Sequence, residues 1–180
     1  MIYTTKELLE KGETEYSIRN KLTSHSLYLI DRGIYSDDPN PYIDEAFMSK
    51  KYPNAVFTDI SAFYFYNLTD HIPDGFYLAT AQHSFPIKRE DVIQSYQDSA
   101  FFAIGRTTSE SENGSIIIYD LERTLIELIR LKEKYPPELY YEVLNSFRKI
   151  KQKLDFYKIN EYTKCFKNGS SLLQKIKEVI

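Results

Sequence analysis

The sequence predicts an α+β fold in two parts: an N-terminal winged helix-turn-helix over residues 1–38, then a mixed α/β domain over 39–180 with a β-hairpin and C-terminal helices. Three observations predict it. Two short capped helical patterns lead into a hairpin signal before Ser36, a proline-rich break follows at Asp37-Asp-Pro-Asn-Pro41, and β-prone runs beyond it give way to amphipathic helices. Of the 180 residues, 42% are hydrophobic and 15% aromatic, which supplies apolar area for a core and excludes disordered and low-complexity classes. Packing alone must hold this fold, because the single cysteine, Cys165, cannot close an intramolecular disulfide.

The elements follow from local chemistry. Thr4 and Thr5 offer a hydroxyl cap to a short helix ending at Lys11-Gly12. Thr14 caps a second helix, reaching about His25, with Tyr16, Ile18 and Leu22 expected inward and Ser17, Arg19, Asn20 and Lys21 mostly outward. Ser26 to Ser36 reads as two β-prone runs around Asp31-Arg32-Gly33, where glycine tolerates the turn; with the two helices before them, these runs make the winged pattern. The usual module carries another helix ahead of these two, so the pattern begins at its second helix. Past the break, Ile43 to Tyr52 and Asp59 to Asn67 read as helices, Ala55 to Thr58 as a short strand or turn, and Phe76 to Thr80 and Val92 to Tyr96 as strands. Phe101 to Ser109 and Ser115 to Tyr119 flank Asn113-Gly114, the signature of a type I′ hairpin turn. Four helices finish the chain: Asp120 to about Lys134, Glu138 to Lys151, and two near Asp155 to Lys167 and Ser170 to Ile180.

Charge is unevenly spread. Met1 to Ser36 is neutral, Asp37 to Arg130 carries 7 basic against 15 acidic residues, and Leu131 to Ile180 carries 11 against 6, within an overall charge of −3. The basic C-terminal third suits either a polyanionic partner or solvated helix faces. No apolar run of about 18 residues exists to cross a membrane. Nor does the acidic helical pattern at the N-terminus resemble a signal peptide. The chain is therefore expected to be soluble and cytoplasmic, without a membrane partner.

A second helix of this kind offers Ser17, Arg19, Asn20 and Lys21 to base edges and phosphates, with Arg32 at the hairpin tip reaching the DNA backbone or minor groove. A structural or protein-binding winged helix is the alternative use of the same elements. Enzymatic chemistry is poorly represented. His25, His71 and His83 lie far apart with no partner at metal-ligand spacing, so no metal site, cofactor or catalytic residue is expected. Asp70, His71 and Asp74 beside Pro73 and Gly75 read as a turn. No base accompanies Cys165, which reads as a spectator. Asp120 caps its helix and Glu122 suits the first turn, whereas Arg123 so early opposes the helix dipole. An arginine there calls for either a carboxylate on the sheet or a neighbouring helix, or a partner molecule.

Three segments together resemble the AbiEi family of bacterial antitoxins, from type IV toxin-antitoxin and abortive-infection phage-defence systems. They are Arg32-Gly-Ile-Tyr35; Tyr52-Pro-Asn-Ala-Val-Phe-Thr58 with Ser61-Ala62 and Leu68-Thr-Asp-His-Ile-Pro73; and Tyr119-Asp-Leu-Glu-Arg-Thr124. The resemblance spans nearly the whole chain. It implies an N-terminal winged helix that represses its own operon by binding promoter DNA, and a second domain that opposes a nucleotidyltransferase toxin of the AbiEii family. A stable complex with that toxin is not required. By the same resemblance Arg19, Lys21 and Arg32 inherit the DNA role, while Asp120, Glu122 and Arg123 belong to the antitoxin-domain signature. The alternative function is a winged-helix transcription regulator whose second domain senses a ligand or dimerises, with no toxin partner.

Overall fold

The computed structural model describes residues 1–180 as an α+β protein of two compact units. The first comprises residues 1–53 with 110–116, and the second residues 54–109 with 117–180. The first unit therefore extends past the boundary expected at residue 38: the Pro39–Pro41 break lies inside it, and the helix that follows belongs to it.

The first unit opens with a strand that the sequence did not announce, β1 (Ile2–Thr4), followed by α1 (Thr5–Glu10), α2 (Glu15–Thr23), β2 (Tyr28–Asp31) and β3 (Ile34–Ser36). β3 pairs antiparallel with both neighbours, giving the order β1-β3-β2. Both helices start on capping boxes. Glu7 N–H donates to Thr4 Oγ1 at 3.2 Å while Thr4 N–H donates to the Glu7 carboxylate at 2.6 Å, and Thr14 and Ser17 repeat the arrangement. Leu8, Ile18 and Leu27 form a small core with Tyr3, Leu22 and Tyr35 around them. Tyr16, expected inward, is 73% exposed: it lies across α2 from buried Ile18. The next helix, α3 (Glu45–Lys51), is capped by Asp44 and buries Phe47 and Met48.

Glu7 has a second duty, because Lys50 Nζ donates to it at 2.6 Å and to Ile2 O at 2.8 Å, tying α3 to α1 and β1. Burial works to raise the Glu7 pKa, but Lys50 and the Thr4 donors win and hold it below the ordinary glutamate value. The stability this adds is present above that ordinary value and is lost as pH falls through the depressed one. Glu7→Ala is expected to cost about 1–2 kcal/mol. Urea denaturation of wild type and Glu7→Ala should show the gap between them closing as the pH is lowered.

The second unit holds β4 (Val56–Phe57), α4 (Asp59–Phe65), β5 (Phe76–Ala81), β6 (Val92–Gln97) and α5 (Ser99–Phe102). After the hairpin β7 (Arg106–Ser111) and β8 (Gly114–Tyr119) come α6 (Leu121–Arg130), α7 (Pro137–Lys149), α8 (Phe156–Lys164) and α9 (Gly169–Val179). The tip of that hairpin is the portion that belongs to the first unit. The sheet order is β6-β5-β4-β8-β7, with β4 antiparallel to β5 and parallel to β8, and β5 parallel to β6. The helices pack a large apolar core that includes Phe63, Leu125, Leu128, Val143, Phe147 and Ile176.

Two local expectations are corrected. Residues 99–102 are helical because Asp98 accepts the Ala100 N–H and starts a turn, so the strand begins only at Arg106. The hairpin forms, but its turn residues are Glu112 and Asn113, neither with positive φ; Gly114 alone takes φ 139°, so the turn is not type I′.

Candidate nucleic-acid interface

On α2 the residues Tyr16, Arg19, Asn20 and Thr23 are all exposed and follow the i, i+3, i+4, i+7 spacing of a single helix face. Arg19 and Asn20 make no side-chain hydrogen bond or ion pair, so both are available to an external partner. Arg32 is likewise exposed and unpaired, at the tip of the β2–β3 hairpin, where the Asp31 carboxylate accepts its backbone N–H and Gly33 supplies φ 73°. The other expected residues are partly engaged. Ser17 closes the α2 capping box and donates to Glu13 at 2.6 Å. Lys21 pairs with the same Glu13, whose pKa its ammonium lowers, so part of its charge is met within the chain.

Sequence reasoning missed Tyr16. The signal was its spacing of three and four from Arg19 and Asn20, which places it on their face. An exposed tyrosine hydroxyl is a common phosphate donor.

Asp120, Glu122 and Arg123 form a different kind of site, at the start of α6. Asp120 accepts the Arg123 N–H at 2.9 Å as the helix cap and the Tyr162 hydroxyl from α8 at 2.8 Å. Burial and Asp120 together push that hydroxyl's pKa upward. Glu122 accepts the Asp155 N–H at 2.9 Å, capping the region where α8 begins, and Lys158 lies 3.6 Å from Asp120 and 4.0 Å from Glu122.

Arg123 is fully buried. Its guanidinium donates to Glu127 at 2.8 Å, to Phe101 O at 2.7 Å and to Ile104 O at 3.3 Å, between the rings of Tyr119 and Phe166. Its carboxylate partner therefore lies one turn along its own helix, not on the sheet or a neighbouring helix as expected. Arg130 shares Glu127 from the other side. With no exposed surface, Arg123 joins α5, α6 and the segment after α8 instead of meeting another molecule.

The three histidines stay apart from any such cluster, and no group of three or more His, Cys, Asp or Glu side chains is placed to hold a metal ion. No helix is long and apolar enough to cross a membrane. The fold and these contacts define an α+β protein with an exposed polar helix face in its first unit and a buried charged junction in its second. Comparison with protein-family models found no match, and comparison with curated proteins found none either.

Proposed function

We propose that the chain is a non-enzymatic antitoxin of a bacterial type IV toxin-antitoxin system, whose first unit is a winged helix that binds and represses its own promoter. The observation that carries the DNA reading is the exposed stripe Tyr16, Arg19, Asn20 on α2, with unpaired Arg32 at the tip of the β2–β3 hairpin. A helix with short polar and cationic side chains enters a major groove, and an arginine on a wing meets phosphate or the minor groove. The antitoxin reading draws support from contacts between two of its three resembling segments, whose residues 54–73 and 119–124 lie in the second unit. Phe57 of Tyr52-Pro-Asn-Ala-Val-Phe-Thr58 pairs with Ile118, directly before the Tyr119–Thr124 segment. The Tyr66 hydroxyl donates to Tyr119 O at 2.9 Å, and Leu68 shares a core with Leu125. The toxin opposed is a nucleotidyltransferase of the AbiEii family, acting in the cytoplasm.

The test is fluorescence anisotropy with DNA from immediately upstream of the chain's own operon. Replacing Arg19, Lys21 and Arg32 together with alanine should weaken binding about a hundredfold, from about 1 kcal/mol per lost contact. The salt slope of the wild type should exceed that of the variant by about 3 in magnitude, one unit per phosphate contact. Sequence-independent binding, or equal affinities for the two proteins, would sink the reading.

A further inference from the structure

Positive charge is concentrated after Leu131, and the fold leaves most of it without counter-charge. Of the eleven basic residues there, only Lys158 and Lys164 lie within ion-pair distance of a carboxylate, whereas seven of the other twelve do. The densest group is Arg148, Lys149, Lys151 and Lys153, four exposed cations in six residues with no carboxylate among them. Arg148 and Lys149 end α7, and the 3₁₀ turn Lys151–Lys153 follows. That turn is held by Lys153 N–H to Ile150 O at 2.8 Å and Leu154 N–H to Lys151 O at 3.1 Å, and buried Leu154 anchors its far end. Asp155, the carboxylate nearest in sequence, is engaged as the cap of α8, where it accepts the Tyr157 and Lys158 N–H groups.

The helix dipole explains only part of this cluster. The negative end of a helix favours cations in its last turn, which covers Arg148 and Lys149, but the effect fades within that turn and Lys151 and Lys153 lie beyond it. The apolar face of α7 is committed to the core through Leu139, Val143, Leu144 and Phe147. On its outer face Tyr141, Asn145, Arg148 and Lys149 follow the i, i+4, i+7, i+8 spacing, and Arg148 donates to Asn145 Oδ1 at 3.0 Å. Tyr141 is 52% exposed, and Tyr157, four residues past Lys153, is 74% exposed.

We propose that this basic ridge binds single-stranded RNA, its cations on the phosphates and its tyrosines against unpaired bases. Charge selects the partner, because a phosphodiester chain offers repeated negative charge to cations that find none within the fold. With its apolar face buried, α7 has no such surface left to enter a bilayer, which argues against a lipid partner. Exposed tyrosine rings beside lysines select strandedness, since a ring stacks on a base only where that base is unpaired. Unpaired strands in a cell are overwhelmingly RNA, and single strands and loops are what RNA-binding surfaces mostly recognise. This assignment concerns the second unit alone and is independent of the promoter-binding reading of the first.

Fluorescence anisotropy with a labelled oligouridine of about 20 nucleotides tests it. The full chain is used in the Arg19→Ala, Lys21→Ala, Arg32→Ala background, so that the DNA contacts proposed for the first unit do not contribute. Affinity should fall with salt on a logarithmic slope of about −3, from about −0.7 per phosphate contact on a single strand. Replacing Lys149, Lys151 and Lys153 together with glutamine should weaken binding at least about tenfold and flatten the slope by about 2. Tyr141→Ser should weaken it about tenfold with the slope unchanged. A control that replaces Lys88, Lys134 and Lys167 with glutamine removes the same charge away from the ridge and should have little effect. Absence of RNA binding at low salt overturns the proposal, as does equal weakening by the two lysine triples. So does an unchanged affinity in Tyr141→Ser, an RNA duplex bound as tightly as the single strand, or binding to phosphatidylserine-containing vesicles but not to RNA.

Discussion

Glu127→Ala is expected to destabilise the second unit by about 3–5 kcal/mol, the usual consequence of leaving a buried charge without its partner. Arg123 has no exposed surface, so the guanidinium left behind has no water to turn to. Its remaining bonds, to Phe101 O and Ile104 O, bring dipoles but no counter-charge. The reciprocal change is milder. In Arg123→Met the carboxylate of Glu127 still pairs with Arg130, which is one-third exposed, and the thioether fills most of the space between Tyr119 and Phe166. Its expected cost is about 2 kcal/mol, mainly from the Ile104 carbonyl losing its donor. Denaturant titrations of the two variants should therefore differ, with Glu127→Ala the less stable. Equal costs would show that Arg130 does not support Glu127.

Gly105→Ala is expected to cost about 2–4 kcal/mol, combining a left-handed backbone with overpacking. Gly105 holds φ 73° in the turn between α5 and β7, and its carbonyl accepts the Asp120 N–H at 2.7 Å. A Cβ added there would stand 2.5 Å from Arg123 Cβ and 2.9 Å from Asp120 Oδ1. Neither atom can yield easily, because Asp120 is held by the Arg123 N–H and Tyr162, and Arg123 by Glu127 and the Phe101 carbonyl. Loss of stability in Gly105→Ala should be visible as a lowered thermal midpoint by circular dichroism. A midpoint within a degree or two of wild type would mean that the turn shifts without disturbing the junction.

The start of α6 shows how far the sequence could be read. Asp120 as a cap and Arg123 as a residue needing a carboxylate were both legible, because each follows from local helix electrostatics. The partner was misplaced: Glu127 stands at i+4, but the same spacing describes any solvated surface pair, and nothing local marks it as buried. β1 was invisible for another reason. Three residues are too few for a two-residue period to register, and β1 is a strand only through its pairing with β3, where Ile2 meets Ser36 far along the sequence. The Asn113-Gly114 signal located its hairpin but misjudged the turn, since register put the glycine at the start of β8. On α2, Arg19 and Asn20 were legible as an outward face, whereas Tyr16 was read as apolar and assigned inward.

The proposed division of labour between the two units is tested most directly by growth of cells that express an AbiEii-type nucleotidyltransferase toxin with either the wild-type chain or the Arg19→Ala, Lys21→Ala, Arg32→Ala variant. Restored growth with both proteins is the predicted result, accompanied by loss of promoter repression in the variant alone. Toxicity that the wild-type chain, expressed to the same level as the toxin, fails to relieve would contradict the antitoxin assignment.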